Sequence, residues 1–294
     1  MLLGSREVNS DILFDPKPGD MRNSAASNID PICRKTGARG HLCPSPSWAL
    51  FLDVDGTLLH LAETPEAVEV SDHLRDVLAR LTPAFGGAVA LISGRRIEDL
   101  DRIFAPLRLP TAGLHGLEHR DTRGNLSLLG EAEMLSPLRG PLREFAGRHE
   151  GILLEDKGRA LALHYRMAPE MEAEARRLVA GLAGRYANCL RVIDGKMVLE
   201  IKPRLSDKGA ALRSFLSEQP FRGRRPVFIG DDVTDEDAFR AVNELDGLSI
   251  RMGNGTDSLA YWQLSDVNAV IGWLEQIPKA LKQETGIEND DTGE

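Results

Sequence analysis

Four short segments of this chain carry residue types that could handle a phosphoryl group. The first is Asp53-Val54-Asp55-Gly56-Thr57. Side chains alternate along a strand, and a glycine turn at its end lets two nearby carboxylates approach one site. One carboxylate could attack phosphorus while the other passes a proton to the leaving oxygen. A lone Asp-x-Asp is also an ordinary polar turn. A calcium loop does not match, because Gly56 comes too early for the helix–loop–helix template.

The second segment, Leu91-Ile92-Ser93-Gly94-Arg95, offers the Ser93 hydroxyl and then the free N–H groups of a helix start, and both suit a phosphate oxygen. An N-cap serine is the plainer alternative. The third, Asp207-Lys208-Gly209, puts a lysine at a helix N-terminus, against the dipole. That placement makes sense if Lys208 points at an anion, although a surface lysine would look the same. The fourth is Gly230-Asp231-Asp232-Val233-Thr234-Asp235-Glu236-Asp237. Five acids in seven residues exceed what helix capping requires. They repel one another unless a cation is present, and Mg²⁺ prefers carboxylate oxygens.

The elements around these segments follow from hydrophobic periodicity. Trp48 to Val54 is a short apolar run, hence a buried strand, and Ala88 to Ile92 is a second. Leu74, Val77, Leu78 and Leu81 lie on one face of a helix starting near Ser71, and Ile97, Leu100, Ile103 and Phe104 on another. Alternating strand and helix predicts a parallel sheet covered on both faces. The pattern returns after residue 204, with a helix from Lys208, a strand Pro226–Ile229, a helix from Glu236 and a strand near Leu248–Arg251. Each of the four segments therefore sits at a strand end or a helix start, where open α/β sheets bind ligands.

Between these halves the pattern differs. Ile152–Glu155 and Leu161–Tyr165 flank a turn, a helix runs from about Pro169 to Tyr186, and Arg191–Ile193 and Val198–Ile201 flank Asp194-Gly195. The expected organisation is a split core at 47–118 and 204–284, with an α+β insert at 119–203. Residues 1–46 show no sustained periodicity and read as a mobile extension, and 285–294 read as an acidic tail.

The formal net charge of −9 argues against a nucleic-acid partner, which usually requires a clustered basic excess. No apolar run approaches the roughly 20 residues that span a bilayer, so no membrane partner is expected. The start, Met1 to Arg6, lacks the features of a secretory signal. Three scattered cysteines, Cys33, Cys43 and Cys189, make neither a disulfide framework nor a zinc site, and suit a reduced, cytoplasmic protein.

Taken together and in order, Asp53-x-Asp55-Gly56-Thr57, Ser93, Lys208 and Gly230-Asp231-Asp232 resemble the four motifs of the haloacid dehalogenase-like phosphatases, over about residues 48 to 275. The resemblance implies a doubly wound, Rossmann-like core with an inserted cap. It implies that Asp53 forms an aspartyl-phosphate and that Asp55 is the general acid and base. Thr57, Ser93 and Lys208 would bind the phosphoryl group. The cofactor would be Mg²⁺, on Asp53, the backbone of Asp55 and Asp231, supported by Asp235.

The insert and the residues just before it narrow the resemblance. Gly113-Leu114-His115-Gly116-Leu117-Glu118, Glu155-Asp156-Lys157-Gly158, Leu161 to Arg166 and Gly195 to Pro203 closely resemble the trehalose-6-phosphate phosphatase family. This implies hydrolysis of trehalose 6-phosphate to trehalose and phosphate, and a functional link to a trehalose-phosphate synthase. Trehalose is uncharged and rich in hydroxyls. Glu118, Lys157, Glu200 and Lys202 carry the charged groups that could hydrogen-bond it, although each could equally be an exposed charge. His115 could be a packed histidine below the site, and His164 and Tyr165 could be core or functional. Another sugar phosphate, such as sucrose or mannosylglycerate phosphate, a phosphotransferase reaction, and a non-catalytic sugar-phosphate sensor are the alternatives.

Overall fold

The computed structural model describes residues 21–22, 31–34, 41–61, 68–130, 132–205, 207–255 and 257–286. Three two-residue strands come first: β1 (Met21–Arg22), β2 (Ile32–Cys33) and β3 (His41–Leu42). Then follow β4 (Trp48–Leu52), α1 (Asp72–Ala84), β5 (Val89–Ile92), α2 (Ile97–Phe104), β6 (Thr111–Gly113), β7 (Glu118–Arg120) and β8 (Leu126–Leu128). The middle holds α3 (Ser136–Arg148), β9 (Leu153–Asp156), β10 (Leu161–His164), α4 (Glu172–Gly184), β11 (Leu190–Gly195) and β12 (Val198–Pro203). The chain closes with α5 (Lys208–Leu216), β13 (Arg225–Gly230), α6 (Glu236–Glu244), β14 (Leu248–Met252), β15 (Trp262–Leu264) and α7 (Val267–Gly286).

Nine strands form the main sheet, in the order β2-β15-β14-β13-β4-β5-β6-β7-β8. The six from β15 to β6 run parallel, and antiparallel strands finish both edges. Every residue of β4 is buried, because a central parallel strand is covered on both faces. Each fully buried Leu or Phe there contributes about 1.5–3 kcal/mol. Helix α1 packs on α7, and α5 on α6. Ser71 starts α1 by accepting the Leu74 N–H at 3.2 Å, and the predicted stripe of Leu74, Val77, Leu78 and Leu81 is buried.

The second sheet has the order β11-β12-β10-β9 and is antiparallel throughout. Its own core joins Leu161, Leu163, Leu199 and Ile201 from the strands to Leu138 and Leu142 of α3 and Ala175 and Val179 of α4. Tyr165 is buried in that cluster too. Alternation then leaves Glu155, His164, Val198 and Glu200 on the face without helices.

Two boundaries differ from expectation. The main sheet does not end at residue 118, because β7 and β8 continue it to Leu128 as antiparallel strands. Three-residue strands are too short to show a period, so the α+β reading began too early. Part of the expected N-terminal extension is also paired. β2 closes the sheet edge against β15, β1 pairs with β3, and Leu42 is buried in the main core. Residues 1–20, 23–30 and 35–40, and residues 287–294 of the expected acidic tail, lie outside the described residues.

Candidate active site

β4 and β13 are neighbours in register, with Leu52 opposite Ile229, so Asp53 and Asp231 leave the sheet side by side. Here the strand order reverses: β5 and β6 follow on one side of β4, and β13 to β15 lie on the other. A crevice opens at the carboxyl ends of the strands at such a point. Gly56 adopts φ +83°, and a Cβ there would lie 2.3 Å from Asp231 Oδ2. Only glycine lets the two acidic loops approach this closely. Thr57 Oγ1 lies between them, donating to Asp53 Oδ2 at 3.1 Å and sitting 3.3 Å from Asp231 Oδ1.

Lys208 opens α5, where Asp207 caps the helix by accepting the Ala210 N–H at 2.8 Å. Its ammonium is buried, 2.6 Å from Asp53 Oδ1 and 2.6 Å from Asp235 Oδ1. Burial opposes the charge, but Asp235 and Asp53 hold the ammonium above the ordinary lysine range. The other oxygen of Asp235 accepts the N–H groups of Asp231 and Asp232, each at 2.9 Å, which fixes the acidic loop.

Asp53, Asp231 and Asp235 are all buried and offer carboxylate oxygens within 4.8 Å of one another. Burial raises Asp53 well above the usual carboxylate range, and Asp235 and Asp231 add to this against Lys208. Burial raises Asp231 as well, although the Lys196 ammonium pairs with its Oδ2. The cluster thus carries excess negative charge that a hard divalent cation would relieve, and its all-oxygen donor set matches such an ion. The carboxylate of Asp55 is not in this triad. Arg95 holds it with two bonds, Nε to Oδ2 and Nη2 to Oδ1, both 2.7 Å. Ser93 is buried and accepts the Arg95 N–H at 3.1 Å.

A cavity of about 190 Å³ runs from this cluster to the bare face of the second sheet. Asp53, Asp55, Ser93, Lys208 and Asp231 line one end with Lys196 against Asp231, and Glu155, Lys157, His164 and Glu200 line the other. Lys157 donates to Gly94 O at 3.0 Å and to Glu200 Oε2 at 3.2 Å. Burial alone would raise Glu200, but Lys157 and His115 carry it well below the usual range. Glu155 is likewise lowered against its burial, by a 2.9 Å bond with His164 and by Lys157.

Two expected sugar contacts lie elsewhere. Glu118 begins β7 in the main sheet, and its Oε2 accepts the Ile97 N–H at 2.6 Å, capping α2. Lys202 is fully buried and does not line the cavity. Burial, with Arg191 nearby, lowers it to about 7.

The trehalose-phosphatase family model matches residues 51–266. The chain belongs to this family. A probable trehalose-phosphate phosphatase of Sinorhizobium fredii is 47% identical over 207 residues, 70% of this chain and 78% of the relative. The trehalose-6-phosphate phosphatase of Escherichia coli is 41% identical over 240 residues, 81% of this chain and 90% of the relative. Among solved structures, a trehalose-6-phosphate phosphatase related protein superposes with TM-score 0.68 at 25% identity, covering 80% of this chain and 99% of its own. A haloacid dehalogenase-like hydrolase from Bacteroides thetaiotaomicron shares the fold, with TM-score 0.58 at 17% identity over 78% of this chain and 98% of its own.

Within this family member, the sequence left His164 open between core and function and gave no role to Glu155, Arg95, Arg166 and Lys196, all of which line the cavity. Glu155 and His164 had a usable signal. Strict alternation in the paired strands β9 and β10 puts both on the bare face once the apolar face is assigned. Lys196 had none in its periodicity, since only the tertiary fold carries the β11–β12 turn over Asp231.

Proposed function

We propose that the protein hydrolyses trehalose 6-phosphate to trehalose and inorganic phosphate through an aspartyl-phosphate on Asp53. The observation that carries this is the contact of the Lys208 ammonium with both Asp53 and Asp235, inside a cavity shared with Glu155, Lys157 and Glu200. A carboxylate nucleophile and a phosphate monoester repel each other. Lys208 at 2.6 Å offsets part of that repulsion and orients Asp53. Asp53 attacks phosphorus, and the bond to the sugar's C6 oxygen breaks. Asp55, turned away from Arg95 and protonated, donates its proton to that oxygen, releasing trehalose. Water then attacks the aspartyl-phosphate, Asp55 takes its proton, and phosphate leaves with Asp53 restored.

Ser93 and Lys208 hold the phosphoryl oxygens in this reading, while Thr57, fully buried outside the cavity lining, orients Asp53 through its hydroxyl. Asp53, the main-chain carbonyl of Asp55 and Asp231 would hold Mg²⁺, with Asp235 behind them. The ion would supply charge neutralisation at the transferring group. Lys157 and Glu200 bind sugar hydroxyls, and the bare face of the second sheet acts as a cap that excludes water. A reaction that makes the phosphorylated disaccharide, such as that of a trehalose-phosphate synthase, must supply the substrate. Among the described residues, no helix is long and apolar enough to cross a membrane.

The test is phosphate release from trehalose 6-phosphate, glucose 6-phosphate and sucrose 6-phosphate, by wild type and Asp53→Asn. Release that favours trehalose 6-phosphate and vanishes in the variant is expected. Preference for another ester would overturn the substrate, and full activity of Asp53→Asn would overturn the nucleophile.

A further inference from the structure

His115 comes from the main sheet, yet it faces a carboxylate of the second one. It follows β6 in a turn where Leu114 and His115 both have left-handed backbone, φ 49° and 55°. For residues other than glycine or asparagine this conformation costs on the order of 1 kcal/mol each. The strain is held in place from several sides. Leu114 N–H donates to Arg95 O, and His115 N–H donates to Ser93 O, both at 2.9 Å. The imidazole lies on Gly94, where a Cβ would stand 2.8 Å from Nε2 and 2.9 Å from Cε1. Side-chain packing adds to this, since Leu114 and Leu117 form a small buried cluster with Ala160 of the second sheet's β9–β10 turn.

This strained turn aims His115 Nε2 to within 3.2 Å of Glu200 Oε1. Glu200 Oε1 and His115 Nδ1 are both buried with no hydrogen-bond partner among the described residues. Both residues line the cavity. The other Glu200 oxygen is held by Lys157, which itself donates to Gly94 O of the main sheet. Glu200 is thus met from the core on two sides, by the His115 imidazole in contact with it and by Gly94 through Lys157. A buried carboxylate oxygen with an unused lone pair is a ready acceptor for a sugar hydroxyl.

We propose that His115 is a positioning residue for sugar recognition: it presents Glu200 to the substrate hydroxyls, so that the sugar subsite is complete only where the second sheet is seated on the core. This rests on the sugar-phosphatase reading above. Burial lowers His115 to about 4, against the pull of Glu200, so it acts as a neutral imidazole at ordinary pH.

The test uses the full chain carrying His115→Asn, Glu200→Gln or both. Asparagine tolerates left-handed backbone, so it removes the imidazole while sparing the turn. The readout is kcat/KM for trehalose 6-phosphate divided by that for p-nitrophenyl phosphate, which has no sugar. We expect His115→Asn to lower this ratio about tenfold, mainly through KM, and to weaken inhibition by trehalose to a similar degree. We expect the double variant to be no worse than Glu200→Gln alone, the mark of residues acting as a unit. Gly94→Ala, whose Cβ would displace the imidazole, should lower the ratio too, and it serves if His115→Asn does not fold. An unchanged ratio, equal losses on both esters, or additive effects in the double variant would overturn the proposal. If wild type itself prefers another sugar ester, the substrate reading fails separately, and the same cycle run on that ester still decides the role of His115.

Discussion

Replacing Lys208 by methionine removes the cation that faces two buried carboxylates at 2.6 Å each. The side chain is 3 % exposed, so solvent screening does little to soften the loss. Breaking a buried pair by deleting one partner costs about 3–5 kcal/mol. For a protein of this size that lowers the melting temperature by on the order of 10 °C. Because Lys208 is raised in the fold, its contribution is fully present below the unfolded lysine value of about 10.4, so assays near neutral pH see all of it. Thermal melts in chelator, at pH 7, measure the effect without a bound cation. Adding Asp235→Asn to Lys208→Met should recover part of the loss, since one stranded charge is removed while an amide oxygen can still accept an N–H of the acidic loop. The reasoning is refuted if Lys208→Met melts like wild type in chelator, or if the second substitution deepens the loss additively.

Two further outcomes follow from the same cluster and its neighbour. Chelation should abolish phosphate release, and Mg²⁺ should restore it and raise the melting temperature, because a cation quenches the carboxylates of Asp53, Asp231 and Asp235. Full turnover in chelator would contradict this. The second outcome concerns His115, which sits near 4 in the fold and near 6.5 unfolded, so its contribution is present above pH 6.5 and is lost as pH falls toward 4. The full difference is roughly 3 kcal/mol. Wild type should therefore lose more melting temperature between pH 7 and 4.5 than His115→Asn does, and parallel losses would count against it.

The Asp53 end of the candidate site was legible because its residues are tied to sharp local events. Asp53, Ser93 and Asp231 follow the last residues of buried strands, and Lys208 opens a helix. Strand ends and helix starts leave clear marks in apolar periodicity, and a parallel sheet gathers them at one edge. The end at the second sheet was legible only in part. Lys157 and Glu200 line the cavity, whereas Glu118 and Lys202 do not. A charged residue on a short strand shows its type but not its direction, and Glu118 lies on β7, whose antiparallel pairing with β6 has no sequence pattern. Lys202 lies two residues beyond Glu200 on β12 but is fully buried, which only the packing around that strand decides.

The central pairing of β4 with β13 joins residues 48–52 to residues 225–229. During synthesis, β4 can find β5 early, but its other edge must wait while the whole second sheet emerges. Lys208, Asp231 and Asp235 also arrive only after that wait. Closing so long a loop is slow, and an unpaired, wholly apolar strand edge is prone to mispairing in the meantime. The nascent chain thus carries the Asp53 carboxylate for most of its length without the groups that orient it. The proposed site is complete only once β13 has paired with β4, so a chain truncated before β13 would lack Asp231 and Asp235.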